Sequence, residues 1–275
     1  MGYNFGGGTT EIQDTSQSLI TDMPATFEAW VNPDAFAADM QVIGIGQTAS
    51  ANPLWRILIP TGQEARAQLR GNTSGAAYTA TAIGTTSLTA SAWHHLAATF
   101  TSTSGSIKNS EIFYNGSSEA TASTSSWDGI TVDTAEIGFL QRDAKSQYFD
   151  GQIAEAAWWD VALTDSEIAS LAAGASPLMV RPASLVGYCP LYREGIDVTG
   201  NFSMSVTAGG GGPANDHAPV ARSYGPAIFA SPAKGRIWVN DAATWDSGAV
   251  LQTHPGQANW ADTSINVQQA IDTTG

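Results

Sequence analysis

Residues 149–171 read FDGQIAEAAWWDVALTDSEIASL, and this stretch decides the fold. Its first half is extended and apolar, while its second half specifies one short helix. Thr164 stands as N-cap with Glu167 three residues on, the two halves of a capping box. Leu163 before the cap and Ile168 at the fourth helical position form a hydrophobic staple. Ile168, Leu171 and Ala172 share a face, and Gly174 lies where a left-handed residue ends a helix. A strand running straight into a helix of about two turns predicts a β fold with a single helix pinned on an apolar surface.

The chain on either side reads as strand and turn. Residues 26–31, TFEAWV, put Phe27, Ala29 and Val31 on one face and Glu28 and Trp30 on the other, and Pro33 and Asp34 end the run. Residues 42–45 and 55–59 are apolar runs, and 63–70 alternates more weakly. In WHHLAATF, residues 93–100, His95 and Ala97 share one face while His94, Leu96, Ala98 and Phe100 share the other. One histidine is expected to pack in the sheet and the other to face solvent. Asn115-Gly116 after an extended segment is the strongest hairpin signal in the chain. Residues 135–140, 148–159 and 184–191 supply further strands. Many short strands between turns, with one helix, predict an all-β, two-sheet antiparallel jelly-roll sandwich followed by an extended C-terminal arm.

Composition agrees. Only 13% of residues are charged, about half the usual quarter, and small polar residues with nine Trp fill the gap. The net charge of −14 sets 25 acids against 11 basic residues, with no basic run to neutralise phosphates, which argues against nucleic acid as a partner. Cys189 is the only cysteine and follows Tyr188 in an apolar run, so it reads as a buried thiol. The opening MGYNFGGGTTEI has neither the charged nor the apolar region of a signal peptide, and position 6 is not the Ser or Thr of a myristoylation motif. No apolar run approaches membrane-spanning length, so no membrane association is expected. Four consecutive glycines at 209–212 open a Gly/Pro-rich stretch to residue 234 that reads as a linker. Residues 235–275 lack the pattern of an independent core, yet carry Trp238, Trp245 and Trp260, which are expected to dock on the chain itself or on a neighbouring subunit. The expected division is therefore body 1–208, linker 209–234 and arm 235–275.

Over residues 1–207 the chain resembles the laminin-G-like, concanavalin-A-like jelly-roll domains. The matching pieces, in order, are YNFGGGTTEI, TFEAWVNPD, WHHLAATF with its hairpin IFYNGS, AEIGF, the stretch at 149–171, and SLVGYCPL, which looks like the strand that closes such domains beside the first one. Ala154 stands where an acid often stands, and Cys189 replaces a more usual Trp. The flavour is similar to versions of this domain in tailed-phage virion proteins. That likeness implies a non-enzymatic virion structural protein, a capsid decoration or tail-associated component made in the host cytoplasm. It would associate with itself, as a trimer, and with other virion proteins through the arm. The alternative reading is a carbohydrate-binding module recognising a surface glycan.

The fold family includes glycoside hydrolases and polysaccharide lyases. Retaining glucanases need carboxylates about 5 Å apart, two residues apart on one strand face, and no E-x-D-x-E run exists here. Asp150 and Glu155 fall on opposite faces, and His94 and His95 lack the partners of a lyase and cannot jointly chelate a metal. No enzymatic activity and no catalytic residue are expected. Because related domains often bind calcium with loop carboxylates, Asp128, Asp133, Asp143 and Asp150 are candidate ligands on one shared rim. Trp55, Trp127 and Tyr148, in or beside loops, are the candidate glycan platforms.

Overall fold

The computed structural model describes residues 2–6, 8–192, 195–207, 209–214, 216, 218–220, 228–231 and 236–239, the last two segments as backbone alone. The chain divides into two units, Met1–Ala221 and Arg222–Gly275. The first unit contains β1 (Tyr3–Asn4), β2 (Glu11–Asp14), β3 (Ala25–Pro33), β4 (Met40–Gly46) and β5 (Leu54–Ile59). Then come β6 (Glu64–Arg70), β7 (Thr79–Ser87), β8 (His94–Ser102), β9 (Lys108–Tyr114) and β10 (Ser117–Ser123). β11 (Thr134–Ile137), β12 (Gly151–Trp159), α1 (Asp165–Ala172), β13 (Leu185–Cys189), β14 (Ser205–Thr207) and β15 (Gly212–Pro213) complete it. In the second unit β16 (Ile228–Ser231) and β17 (Arg236–Val239) pair as an antiparallel hairpin.

Two antiparallel sheets face one another as a jelly-roll sandwich. The first runs β10-β9-β8-β3-β12-β1-β15, with β13 also on β12; the second runs β14-β2-β11-β4-β5-β6-β7. Alternation decides what lies between them. Phe27, Ala29 and Val31 of β3 and Leu96, Ala98 and Phe100 of β8 meet Ile43 and Ile45 of β4 and Trp55, Ile57 and Ile59 of β5 in one core. β1 and β13 pair with opposite ends of β12, so the closing strand continues the line of the first strand rather than pairing with it. At the hairpin between β9 and β10, Asn115 and Gly116 take φ of 47° and 84°, the positive values a two-residue turn of this hand requires.

The outer face of the first sheet is roofed. Ile168 and Leu171 of α1 join Leu163, Trp159, Tyr188, Ala97 and Phe113 in a second apolar cluster. The capping box forms as expected: the Glu167 backbone N–H donates to Thr164 Oγ1 at 3.4 Å, and the Thr164 N–H donates to Glu167 Oε2 at 2.8 Å. Thr164→Ala is expected to lower stability by about 1 kcal/mol. Leu163→Ala, which empties a buried site, should lower it by roughly 2–5 kcal/mol. Urea unfolding measures both, and equal midpoints for the two variants would show that the staple does not hold the helix down.

Roofing also changes the histidine expectation, since both are buried. His95 lies beneath the roof, 3.1 Å from Glu28 Oε2, and His94 Nδ1 meets the Tyr114 hydroxyl at 2.9 Å.

The glycine run is not a free linker where the structure describes it. Gly212 and Pro213 form β15 on the edge of β1, the Gly2 N–H donates to the Asp216 carbonyl at 2.7 Å, and the Ala214 N–H donates to the Gly2 carbonyl at 2.9 Å. A Cβ on Gly209 would overlap the Thr9 backbone, and one on Gly211 would overlap the Asn4 carbonyl. These glycines therefore permit close backbone approach. Beyond them Ala218 packs on Trp30 and Ala154. The body ends near residue 221, not 208.

Candidate functional site

The second sheet turns a polar face away from the core. With Ile45, Trp55, Leu69 and Ala80 pointing inward in register, the alternate residues point outward. One outward row crosses all seven strands: Ser205, Gln13, Glu136, Gly44, Arg56, Gln68 and Thr81. Arg66 and Arg70 flank Gln68 on β6, opposite Leu58 and Leu54, whose side chains give the arginine stems an apolar bed.

Gly44 organises the centre. A Cβ there would lie 2.8 Å from Gln41 Nε2, so its absence lets the Gln41 side chain cross the sheet. Gln41 Nε2 donates to Glu136 Oε1 at 2.5 Å, and Arg56 donates to Gln41 Oε1 at 3.4 Å, to Gln68 Oε1 at 3.0 Å and to Gln147. Gln68 Nε2 in turn donates to Thr81 Oγ1 at 3.2 Å. The loop between β11 and β12 folds over this face, bringing the Gln141 N–H to Glu136 Oε2 at 2.7 Å and adding Arg142.

Burial shapes the charges. It pushes the Glu136 carboxyl up to about 8, although hydrogen bonds from Gln41 and Gln141 and the charge of Arg56 pull the other way. It pushes Arg56 down to about 10, and Arg70 and Arg142 add repulsion. Burial and then Arg142 lower Arg70 as well. The face therefore carries clustered positive charge beside a carboxyl whose ionisation burial disfavours.

The expected site residues fall elsewhere or apart. Trp55 is fully buried and stacks on Phe100 at 5.7 Å, so it belongs to the core and offers no sugar platform. Trp127 is half-buried against the core, and Tyr148 is half-buried, stacked on Phe139 at 6.2 Å with its hydroxyl donating to Glu11 at 3.3 Å. Of the carboxylates, Asp133 is tied to Thr48 at the Gly46 end of β4, whereas the Asp150 N–H contacts Met40 Sδ at the other end. A strand of that length spans about 20 Å, so they share no rim. Burial, then the charge of Asp34, raises the Asp150 carboxyl. Asp143 accepts from its neighbour Ala144, and Asp128 is exposed beside Gly71. Among the described residues no three acidic, histidine or cysteine side chains gather as a metal site. Trp245 and Trp260 lie outside the described residues, as does the Trp238 side chain.

One carboxylate pair was missed because it crosses strands. Glu28 of β3 and Glu155, the extra residue of a bulge in β12 with φ of 55°, sit close enough to raise Glu28 beyond the large effect of burial. Both lie under the roof. Glu28 meets His95, which burial drives down to about 3, so theirs is a neutral hydrogen-bonded pair. Glu155 accepts from Tyr188. Sealed and committed, the pair has no open approach for a substrate.

The Laminin G 3 model of the concanavalin A-like lectin/glucanases superfamily matches residues 6–169, more than half of the sequence. The chain belongs to this family. Within the concanavalin A-like fold, similar solved structures include a heptameric pentraxin from Limulus polyphemus, at 14% identity and TM-score 0.57, covering 78% of this chain and 95% of that one. A putative carbohydrate-binding protein from Bacteroides ovatus aligns at 17% identity and TM-score 0.53, covering 78% of this chain and 61% of that one. The CBM40 module of the Ruminococcus gnavus IT-sialidase, solved with α2,3-sialyllactose, aligns at 18% identity and TM-score 0.52, covering 62% and 96%. No curated protein matches in sequence.

The arginines are what sequence reasoning overlooked. Arg56, Arg66, Arg70 and Arg142 are scattered along the chain, so no basic run appears; strand register assembles the first three and the loop between β11 and β12 adds Arg142. Their signal was present all the same. Arg56 interrupts the apolar run LWRILI, and EARAQLR places Arg66, Gln68 and Arg70 on one face against Ala65, Ala67 and Leu69.

Proposed function

We propose that the chain is a non-catalytic carbohydrate-binding module that receives a glycan at the β6–β7 end of the outer face of its second sheet, beside the covering loop. The observation carrying this reading is the partly exposed set of Arg66, Gln68, Arg70 and Thr81 on β6 and β7, backed by the Glu136–Gln41–Arg56–Gln68–Thr81 hydrogen-bond network, whose Glu136, Gln41 and Arg56 are buried. Sugar hydroxyls both donate and accept, so they are recognised by planar polar groups whose rotamers are already fixed, because little ordering entropy remains to be lost on binding. The exposed Ile83, paired with Arg66 on the same face, supplies apolar surface of the kind that ring C–H groups require, while Leu54 and Leu58 are buried beneath. The Bacteroides ovatus protein and the sialidase module, described as carbohydrate-binding and as solved with a sugar, support the reading through a shared fold. The virion role and virion location suggested by sequence flavour draw no support from these relatives.

Titration calorimetry of the full chain against a panel of neutral and acidic oligosaccharides tests the proposal. At least one is expected to bind in the micromolar to millimolar range, and Gln68→Ala should weaken it about tenfold. Absence of binding across the panel, or turnover of any member, would overturn it.

A further inference from the structure

We propose that the glycan taken by this face is acidic, its carboxylate or sulfate ester held by Arg70 and Arg142 with Arg66 alongside. This rests on the glycan-binding reading and names the chemical class of the ligand.

The chain carries 25 acids against 11 basic residues, yet four of those 11 lie on this one surface. Clustering like charges in a partly buried setting is unfavourable unless an anion sits among them. Glu136 and Asp39 act on Arg56, but among the described residues no carboxylate pairs with Arg66, Arg70 or Arg142. The guanidinium groups of Arg66, Arg70 and Arg142 make no hydrogen bond or ion pair with another described residue, and the Nε atom of each is buried without an acceptor. A buried donor left unpaired costs about 1–3 kcal/mol, so three in one neighbourhood call for a partner. Among the described residues the other basic side chains have partners: Lys145 meets Glu11 and Arg181 meets Glu167, each at 2.6 Å, and Lys108 meets the Ser102 hydroxyl at 2.9 Å.

The nearest carboxyl cannot serve as the missing anion. Both Glu136 oxygens already accept, from Gln41 and from the Gln141 N–H, and burial raises the carboxyl and so weakens its negative charge. The guanidinium fork suits an anion with two or more oxygens, because paired N–H groups can meet paired acceptors. A net charge of −14 would repel a long polyanion, so the ligand is a short oligosaccharide with a localised charge. The neighbouring Gln68, Thr79 and Thr81 match sugar hydroxyls rather than a bare inorganic ion.

The test compares matched probes by calorimetry on the full chain: 3′-sialyllactose against lactose, trigalacturonate against its methyl ester, and sulfated against unsulfated lactose. An acidic member should bind at least about tenfold more tightly than its neutral partner, with affinity falling as salt rises. That preference should drop below about threefold in Arg70→Gln and in Arg142→Gln, with melting temperatures within about 3 °C of the parent chain. The pair that discriminates tells carboxylate from sulfate. Equal binding of acidic and neutral members would leave the glycan site standing and overturn the acidic preference. Preference that survives both substitutions would place the anion elsewhere and overturn the assignment. If no sugar in any pair binds, both readings fall together.

Discussion

A chain ending at residue 221 is expected to unfold cooperatively and late, whereas one ending at 208 should be destabilised by about 4 kcal/mol. The shorter chain loses β15 from the edge of β1 and with it the backbone hydrogen bonds between Gly2 and both Asp216 and Ala214. It also loses the bonds that Trp93 Nε1 makes to Asp216 at 3.0 Å and that Gly211 makes to Thr10 at 3.0 Å. At about 1 kcal/mol net for each hydrogen bond, these four alone reach the stated figure. Removing Ala218 uncovers Trp30 and Ala154 in addition. Urea unfolding followed by tryptophan fluorescence measures the difference, with the longer chain showing the larger midpoint and the steeper slope. Identical curves for the two would mean that residues 209–221 rest on the sandwich without contributing to it.

The glycines at 209–212 show where sequence reasoning ran out and why. Composition alone cannot separate a glycine that frees the chain from one that lets two backbones touch, because the difference lies in the long-range partner. Here that partner is the opening segment some 200 residues earlier, Thr9, Thr10 and Asn4. Features set by neighbours in sequence were legible: the capping box at Thr164 and Glu167, the Asn115-Gly116 hairpin, and the inward faces of TFEAWV and HLAATF. β7 escaped notice because TATAIGTTS buries only Ala80 and Ala82 deep in the core, too little apolar contrast to mark a strand. The polar face was opaque for a related reason. Its row draws single residues from seven strands, and only register brings Gln13, Glu136, Arg56 and Gln68 side by side. Trp55 was misplaced because flanking loops suggested exposure, while the alternation of LWRILI in fact turns it inward against Phe100.

Replacing Glu136 by Gln should remove a pH dependence that the parent chain displays in both stability and binding. In the folded protein this carboxyl sits at about 8 against an ordinary value of 4.5, so the fold holds the proton more tightly than the unfolded chain does. The resulting stabilisation is complete below pH 4.5 and declines as pH rises, until it is gone above about 8. At roughly 1.4 kcal/mol per pH unit of displacement, the decline amounts to several kcal/mol. An amide keeps a neutral side chain of the same shape but sets a donor where one oxygen accepted, so Glu136→Gln should lie about 1–3 kcal/mol below the parent near pH 5 and gain on it as pH passes about 8. Glu28, also raised by burial, gives the same sign and is unaltered in the variant. His95, lowered to about 3, acts oppositely, with stability lost as pH falls from about 6.5, so it does not mask the alkaline limb. For binding, the groups facing Glu136 are Gln41, Gln141, Arg56 and Asp133, with Arg70, Arg142 and Asp39 acting on Arg56. Ionisation of Glu136 adds a negative charge beside Arg56, so affinity for an acidic glycan should fall as pH passes about 8 in the parent chain. In Glu136→Gln affinity should hold until Arg56 itself begins to lose its proton near 10. Calorimetric titrations at pH 6, 7, 8 and 9, about a unit either side of the expected step, separate the two chains. Parallel profiles would mean that Glu136 is already ionised at neutral pH and that Arg56 is neutralised from within the protein.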